Sequence, residues 1–150
     1  MKTIKIIVLV FFVVFVGIQF VPTNRNQSKV VSKSDFMLVN NVPQGVQDKL
    51  KVSCYDCHSN NTAYPWYNKI QPAAWFLEDH IKEGKDELNF NEWGEYSDRR
   101  KNSKLRSIIS QIEDDEMPLD SYTFIHWDAK FSELEKKEII KYMTQLKNSL

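Results

Sequence analysis

Both cysteines of the chain sit in one five-residue stretch, Cys54-Tyr55-Asp56-Cys57-His58. On a helix, positions i, i+3 and i+4 share one face, so two thiols and one imidazole would reach the same object. This spacing is the C-x-x-C-H pattern of covalent c-type haem attachment. Cys54 and Cys57 would add to the two vinyl groups of one porphyrin, and His58 would bind the iron from below as the proximal axial ligand. Three blander readings compete. A zinc site wants four ligands, and no second Cys pair or paired-histidine motif exists here. A thioredoxin-like dithiol should open a helix inside a βαβ unit, and no strand pattern flanks the motif. A structural disulfide between the two thiols is the third. The haem reading constrains the fold most: it demands helices that leave an apolar slot for a large flat cofactor.

At 150 residues the chain has room for one domain plus attachments. Basic and acidic side chains balance, 20 against 20, which argues against a nucleic-acid binder. The first residues are separate in kind. Lys2 and Lys5 precede an apolar run from Ile6 to Phe20, broken only by Gly17 and Gln19. It ends without the small residues of a cleavage site, which predicts an uncleaved signal anchor over residues 1–21. Counting from Thr3 to Val21 reaches the lower end of the ~17–25 residues a bilayer span needs. The predicted location is the bacterial inner membrane, single-pass, with the haem domain in the periplasm, where thioether attachment occurs; secretion to the periplasm after cleavage is the alternative. Residues 22–35 are polar and aperiodic and read as a flexible tether, leaving 36–150 as the haem-binding domain.

Within that domain the periodicity predicts four helices. Val46, Leu50, Cys54 and Cys57 form one stripe, so the cysteines continue an apolar face. A second helix is predicted from Pro72 to about Lys82, with Gly84 just past its end. Its apolar face includes His80, a possible second axial ligand. A third covers about Asn102 to Glu113, with Leu105, Ile108, Ile109 and Ile112 inward. Arg99, Arg100, Lys101 and Lys104 precede or open it; any of them could pair with a haem propionate, a solvated face is the blander reading, and no role is assigned to them from sequence. Pro118 stops continuation beyond Glu113-Asp114-Asp115-Glu116. Met117 then sits on a loop, and its thioether suits the sixth position of a haem iron. A proximal histidine near the start, Met-Pro in a loop and a closing helix is the order of small c-type cytochromes. His126 is a further alternative. The closing helix opens at Ser132-Glu133-Leu134-Glu135, a capping box. The aromatic cluster Tyr64-Pro65-Trp66-Tyr67 reads either as a wall of the haem edge or as a core plug.

The chain resembles the haem-binding domain family of short exported bacterial proteins. The resemblance rests on Ser53-Cys54-Tyr55-Asp56-Cys57-His58-Ser59-Asn60, Tyr64-Pro65-Trp66-Tyr67, Trp75, His80, Gly84, Leu88-Asn89-Phe90 and Trp93. It continues through Glu116-Met117-Pro118, Tyr122 and His126, and covers roughly Val42 to Leu146. Asn91 departs from it, standing where serine is expected. The resemblance implies a cytochrome c-like domain with one haem held by Cys54, Cys57 and His58.

Together these readings predict an all-α, cytochrome c-like bundle of about four helices around one covalent haem c, preceded by an N-terminal transmembrane helix. The expected function is one-electron transfer in the periplasm, to a redox partner protein or membrane oxidoreductase, rather than catalysis. A haem sensor with an open or labile sixth site is the main rival. A peroxidase-type enzyme is weaker, because no distal Arg/His pair is evident. A purely structural haem is the last.

Overall fold

A computed structural model describes residues 1–28 and 30–150; position 29 of the expected tether lies outside them. The described residues are helical throughout, apart from turns, loops and an isolated antiparallel bridge between Gln27 and Asn61. After an N-terminal helix α1 (Lys2–Ile18) come a single turn α2 (Phe36–Val39), then α3 (Gln44–Leu50), a π-helical turn (Lys51–Tyr55) and α4 (Asp56–His58) in unbroken succession. They are followed by α5 (Ala73–Glu87), α6 (Asp98–Glu113), a short α7 (Asp120–Thr123) and the closing α8 (Glu133–Ser149). Short 3₁₀ turns at Trp66–Lys69, Phe90–Glu95 and Trp127–Ala129 join them.

The expected transmembrane helix is overturned. No helix among the described residues is long and apolar enough to cross a membrane. Helix α1 has 17 residues, or about 25 Å against a hydrocarbon core of about 30 Å. It ends in a tightened turn, the Gln19, Phe20 and Val21 N–H groups donating to Val16, Gly17 and Ile18 O at 3.2 Å, while the Gln19 side chain reaches the folded part. The Gln19 amide donates to the Gln71 carbonyl at 3.1 Å and accepts from the Gln71 N–H at 2.9 Å. Phe20 and Val21, needed to lengthen the span, fall outside the helix. The single-pass inner-membrane location falls with it.

The core is built where the apolar stripes meet. Leu105 and Ile112 of α6, Ile139 and Met143 of α8, and Leu50 of α3 are buried in one cluster with Phe36, Phe90 and Trp93. Phe36 meets Phe90 and Trp93 edge-on, with ring centroids 5.2 and 4.9 Å apart. Each such side chain contributes about 1.5–3 kcal/mol by leaving water, so this cluster holds α3, α6 and α8 together.

Helix ends follow capping chemistry. Ser132 and Glu135 form the expected capping box on α8. Helix α6 starts four residues earlier than the periodicity predicts, because the Ser97 hydroxyl accepts from Arg100 N–H and supplies the N-cap. Its other end is set before Pro118 is reached. Asp115 takes a left-handed conformation (φ 57°). The Glu116 N–H then donates to Gln111 O at 2.8 Å and the Asp115 N–H to Ile112 O at 3.4 Å, a Schellman ending. Lys136 of α8 bonds the Glu113 carbonyl at 3.1 Å and the Asp115 carboxylate at 2.8 Å, offsetting negative charge at this C-terminus.

Helix α5 runs on to Glu87 rather than ending near Lys82. Gly84 is therefore interior, and not a terminator. Its lack of a side chain serves packing instead: a Cβ there would lie 3.0 Å from the Cys57 carbonyl oxygen and 3.2 Å from Cys57 Cβ.

Candidate haem site

The Cys-bearing segment is fixed from behind by groups that leave its sulfurs facing inward. Lys49 donates to the Asp128 and Lys130 carbonyls at 3.0 and 2.9 Å, and the Ser53 hydroxyl to Ala129 O at 2.7 Å. Tyr55 stacks on Phe90, with centroids 4.9 Å apart and planes 3° from parallel. Its hydroxyl donates to the buried Asp35 carboxylate, which also receives Asn91 Nδ2 at 2.7 Å and caps α2 through Met37 N–H at 2.8 Å. Asp56, between the two cysteines, accepts from the Tyr122 hydroxyl at 2.8 Å and from Ala63 N–H at 2.9 Å. The two variable positions of the motif thus brace the scaffold. Cys54 lies in the π-helical turn and Cys57 in α4, so they do not share the single regular α-helix that the spacing suggests.

Cys54, Cys57 and His58 line a cavity of about 420 Å³, within the range of about 300–1,000 Å³ usual for cofactor pockets. Its wall is mainly apolar, with Leu50, Leu88, Phe90, Ile108, Ile112 and Phe131 contributing. Both cysteines are free. Burial, reinforced by the neighbouring Cys57, pushes the Cys54 thiol up to about 12; burial and then Asp56 push Cys57 up to about 11. Both stay protonated at neutral pH, so neither is a reactive thiolate.

The His58 ring is oriented by helix α5. Nδ1 lies 2.7 Å from Gly84 O and 3.1 Å from Leu88 O. Carbonyl oxygens only accept, so Nδ1 carries the hydrogen and Nε2 keeps its lone pair. Burial lowers the His58 pKa, which favours this neutral form. Phe90 meets the ring edge-on at 6.3 Å. The close approach allowed by Gly84 brings its carbonyl within reach, and this pairing was not visible in sequence. The family-like motif contained Gly84, but the helical pattern alone read it as a terminator.

The other expected ligands divide. Met117 and His80 both line the cavity with His58 and the cysteines. Met117 is held by its own N–H, which donates to Gln111 O at 3.1 Å. His80 bonds Phe76 O one turn back through Nδ1, at 2.8 Å. His126 is not among the lining residues: its Nε2 meets the Tyr67 hydroxyl at 2.9 Å and its ring stacks on Tyr122. Tyr64, Trp66 and Tyr67 do not line the cavity either. Tyr64 donates to Glu78 at 2.9 Å, and Trp66 is 74% exposed, so this cluster is neither wall nor core plug.

Two thiols, an imidazole with its second nitrogen engaged, a thioether and apolar walls now stand around one space. That donor set fits a haem. The family model described as haem-binding domain matches residues 13–145, a span that includes every cavity-lining residue named above. No curated protein matches the chain, and no solved structure does. Cavity, donors and match agree, and the chain belongs to the haem-binding domain family.

Proposed function

We propose that this chain is a covalent c-type haem protein that carries single electrons in the periplasm. The observation that supports this most is the engagement of His58 Nδ1 by the Gly84 and Leu88 carbonyls beside Cys54 and Cys57. A histidine so bonded has its ring direction set and its free nitrogen made more basic, as metal-bound histidines require. His58 and Met117 would hold the iron, and Cys54 and Cys57 would hold the porphyrin through thioethers. Each S–H would add across one vinyl double bond, the sulfur to one carbon and the hydrogen to its neighbour, with no change in overall oxidation state. Neither cysteine is oxidised in the process, and their protonated state suits it. When bound, the group supplies a one-electron iron couple. The chain's own work is to hold the ligands still: the Gly84 and Leu88 carbonyls fix His58, and the Schellman turn fixes the backbone of Met117. Such a carrier would deliver electrons to a redox partner protein or membrane oxidoreductase.

The test is to mature the full chain in a host with a c-type assembly system. The intact protein is expected to weigh one haem more than its bare chain. Its ferric spectrum should carry a sulfur-to-iron charge-transfer band that disappears in Met117→Ala. A mass equal to that of the bare chain rules the reading out. A second reading, a haem sensor with a labile sixth site, draws on His80 lining the same cavity as Met117. Rapid carbon monoxide binding by the ferrous wild-type protein would favour it.

A further inference from the structure

We propose that Lys104, Ser107 and Gln111 of α6 seat the carboxylate edge of the porphyrin, with Lys104 as the pairing cation. This rests on the haem reading above and adds the orientation of the group within its cavity. Among the described residues lining the cavity, Lys104 is the only lysine or arginine. The acids of the lining, Glu83 and Glu87, both stand on α5. A porphyrin carboxylate is therefore favoured at Lys104, where it would displace the Glu87 carboxylate now 3.5 Å away.

Helix α6 is built for this division. Positions 104, 107 and 111 are spaced by three and four and lie along one side of the helix. Ile108 and Ile112, also in the lining, continue the apolar wall beside them. The rim of α6 thus offers an ammonium, a hydroxyl and an amide along the margin of a greasy surface. An amphiphilic ring with acids on one edge matches that pattern.

The donors are available. Lys104 pairs only with Glu87, at 3.5 Å, and the Glu87 side chain is 83% exposed. Such exposed pairs are weak and readily exchanged. The Ser107 hydroxyl and the Gln111 side-chain amide have no hydrogen-bond partner among the described residues. A carboxylate arriving at this rim gains a charge-assisted bond to Lys104 without breaking a strong one.

The experiment compares metal-free protoporphyrin IX with its dimethyl ester, each titrated into the full haem-free chain and read by quenching of tryptophan fluorescence. The diacid should bind about tenfold tighter than the ester. Lys104→Met should remove that preference while leaving ester affinity unchanged, Lys104→Arg should keep it, and Gln111→Leu should reduce it. Lys101→Met, on the same helix but outside the lining, should leave it intact. If Lys104→Met retains the full preference, or weakens both porphyrins equally, the seat is not at Lys104, although the haem reading survives. If neither porphyrin binds the wild-type chain, this proposal fails, and the haem reading fails with it only where the matured chain also gains no haem mass.

Discussion

Gly84→Ala separates packing from helix propensity, because the two predict opposite signs. Gly84 lies inside α5, where alanine is favoured by about 1 kcal/mol on propensity alone. Its added Cβ would lie 3.0 Å from Cys57 O, 3.2 Å from Cys57 Cβ and 3.4 Å from Cys57 C. Two of these neighbours are backbone, so α5 and the Cys-bearing segment must separate by a few tenths of an ångström. Overpacking of this kind costs about 1–3 kcal/mol. The sum is a net loss of up to about 2 kcal/mol, or a melting temperature lower by a few degrees. The same separation lengthens the 2.7 Å bond from His58 Nδ1 to Gly84 O, so the haem spectrum should shift too. Gly45→Ala is the control. It lies in α3, and nothing stands within 4 Å of its would-be Cβ. There the gain of up to about 1 kcal/mol should appear undiminished. The assay is urea or thermal unfolding of both variants in the haem-loaded protein. If Gly84→Ala stabilises as Gly45→Ala does, with an unchanged spectrum, the close approach of α5 to Cys57 is wrong.

Three further outcomes follow from particular contacts. Asn91→Ala removes the donor to buried Asp35 and the acceptor of Asn60 N–H, both at 2.7 Å; it should lower unfolding stability by about 2–4 kcal/mol in urea titration. Tyr142→Phe should be neutral or stabilising by up to about 1 kcal/mol in the same assay, since its buried hydroxyl has no partner among the described residues. Hydrogen bonds from the Ser132 side chain and backbone hold Glu135 below the usual carboxylate range, with Lys49 assisting. The unfolded chain therefore takes up that proton first as pH falls, so the contribution is complete above about 4.5 and lost on acidification below it; Glu135→Gln should flatten the stability–pH slope there.

Local chemistry was legible wherever the signal was local. The stripe of Val46, Leu50 and Cys54, the inward face of Leu105, Ile108, Ile109 and Ile112, and the Ser132 capping box lie as the sequence suggests. Failures came where a distant group decides. Gln19, at the end of α1, bonds Gln71, fifty-two positions away, and no window over the apolar run contains that contact. Gly84 reads as a stop until Cys57 is known to press on it. Asn91, a small departure from the family-like pattern, proves to be a buried bridge between Asp35 and Asn60, visible only once three segments meet. His126 has the right chemistry, but Tyr67 and Tyr122 claim it.

The cavity is defined unequally on its two sides, and this bears on what the protein can do. The His58 side is over-determined: two carbonyls meet Nδ1, Phe90 meets the ring edge, and Gly84 admits the helix that supplies those carbonyls. Asp56 ties the same segment to Tyr122 and Ala63, so a shift of the motif must break several bonds at once. Met117 hangs from one turn, fixed by N–H bonds to Gln111 and by the contacts of Lys136 with Glu113 and Asp115. Those lysine contacts are at the surface, where ion pairs contribute little. The free energy for displacing the side chain is therefore lower on the Met117 side, where His80 also lines the wall. If Met117 takes the iron as proposed, a tightly braced His58 and a lightly held Met117 would make the thioether the first of the two to yield.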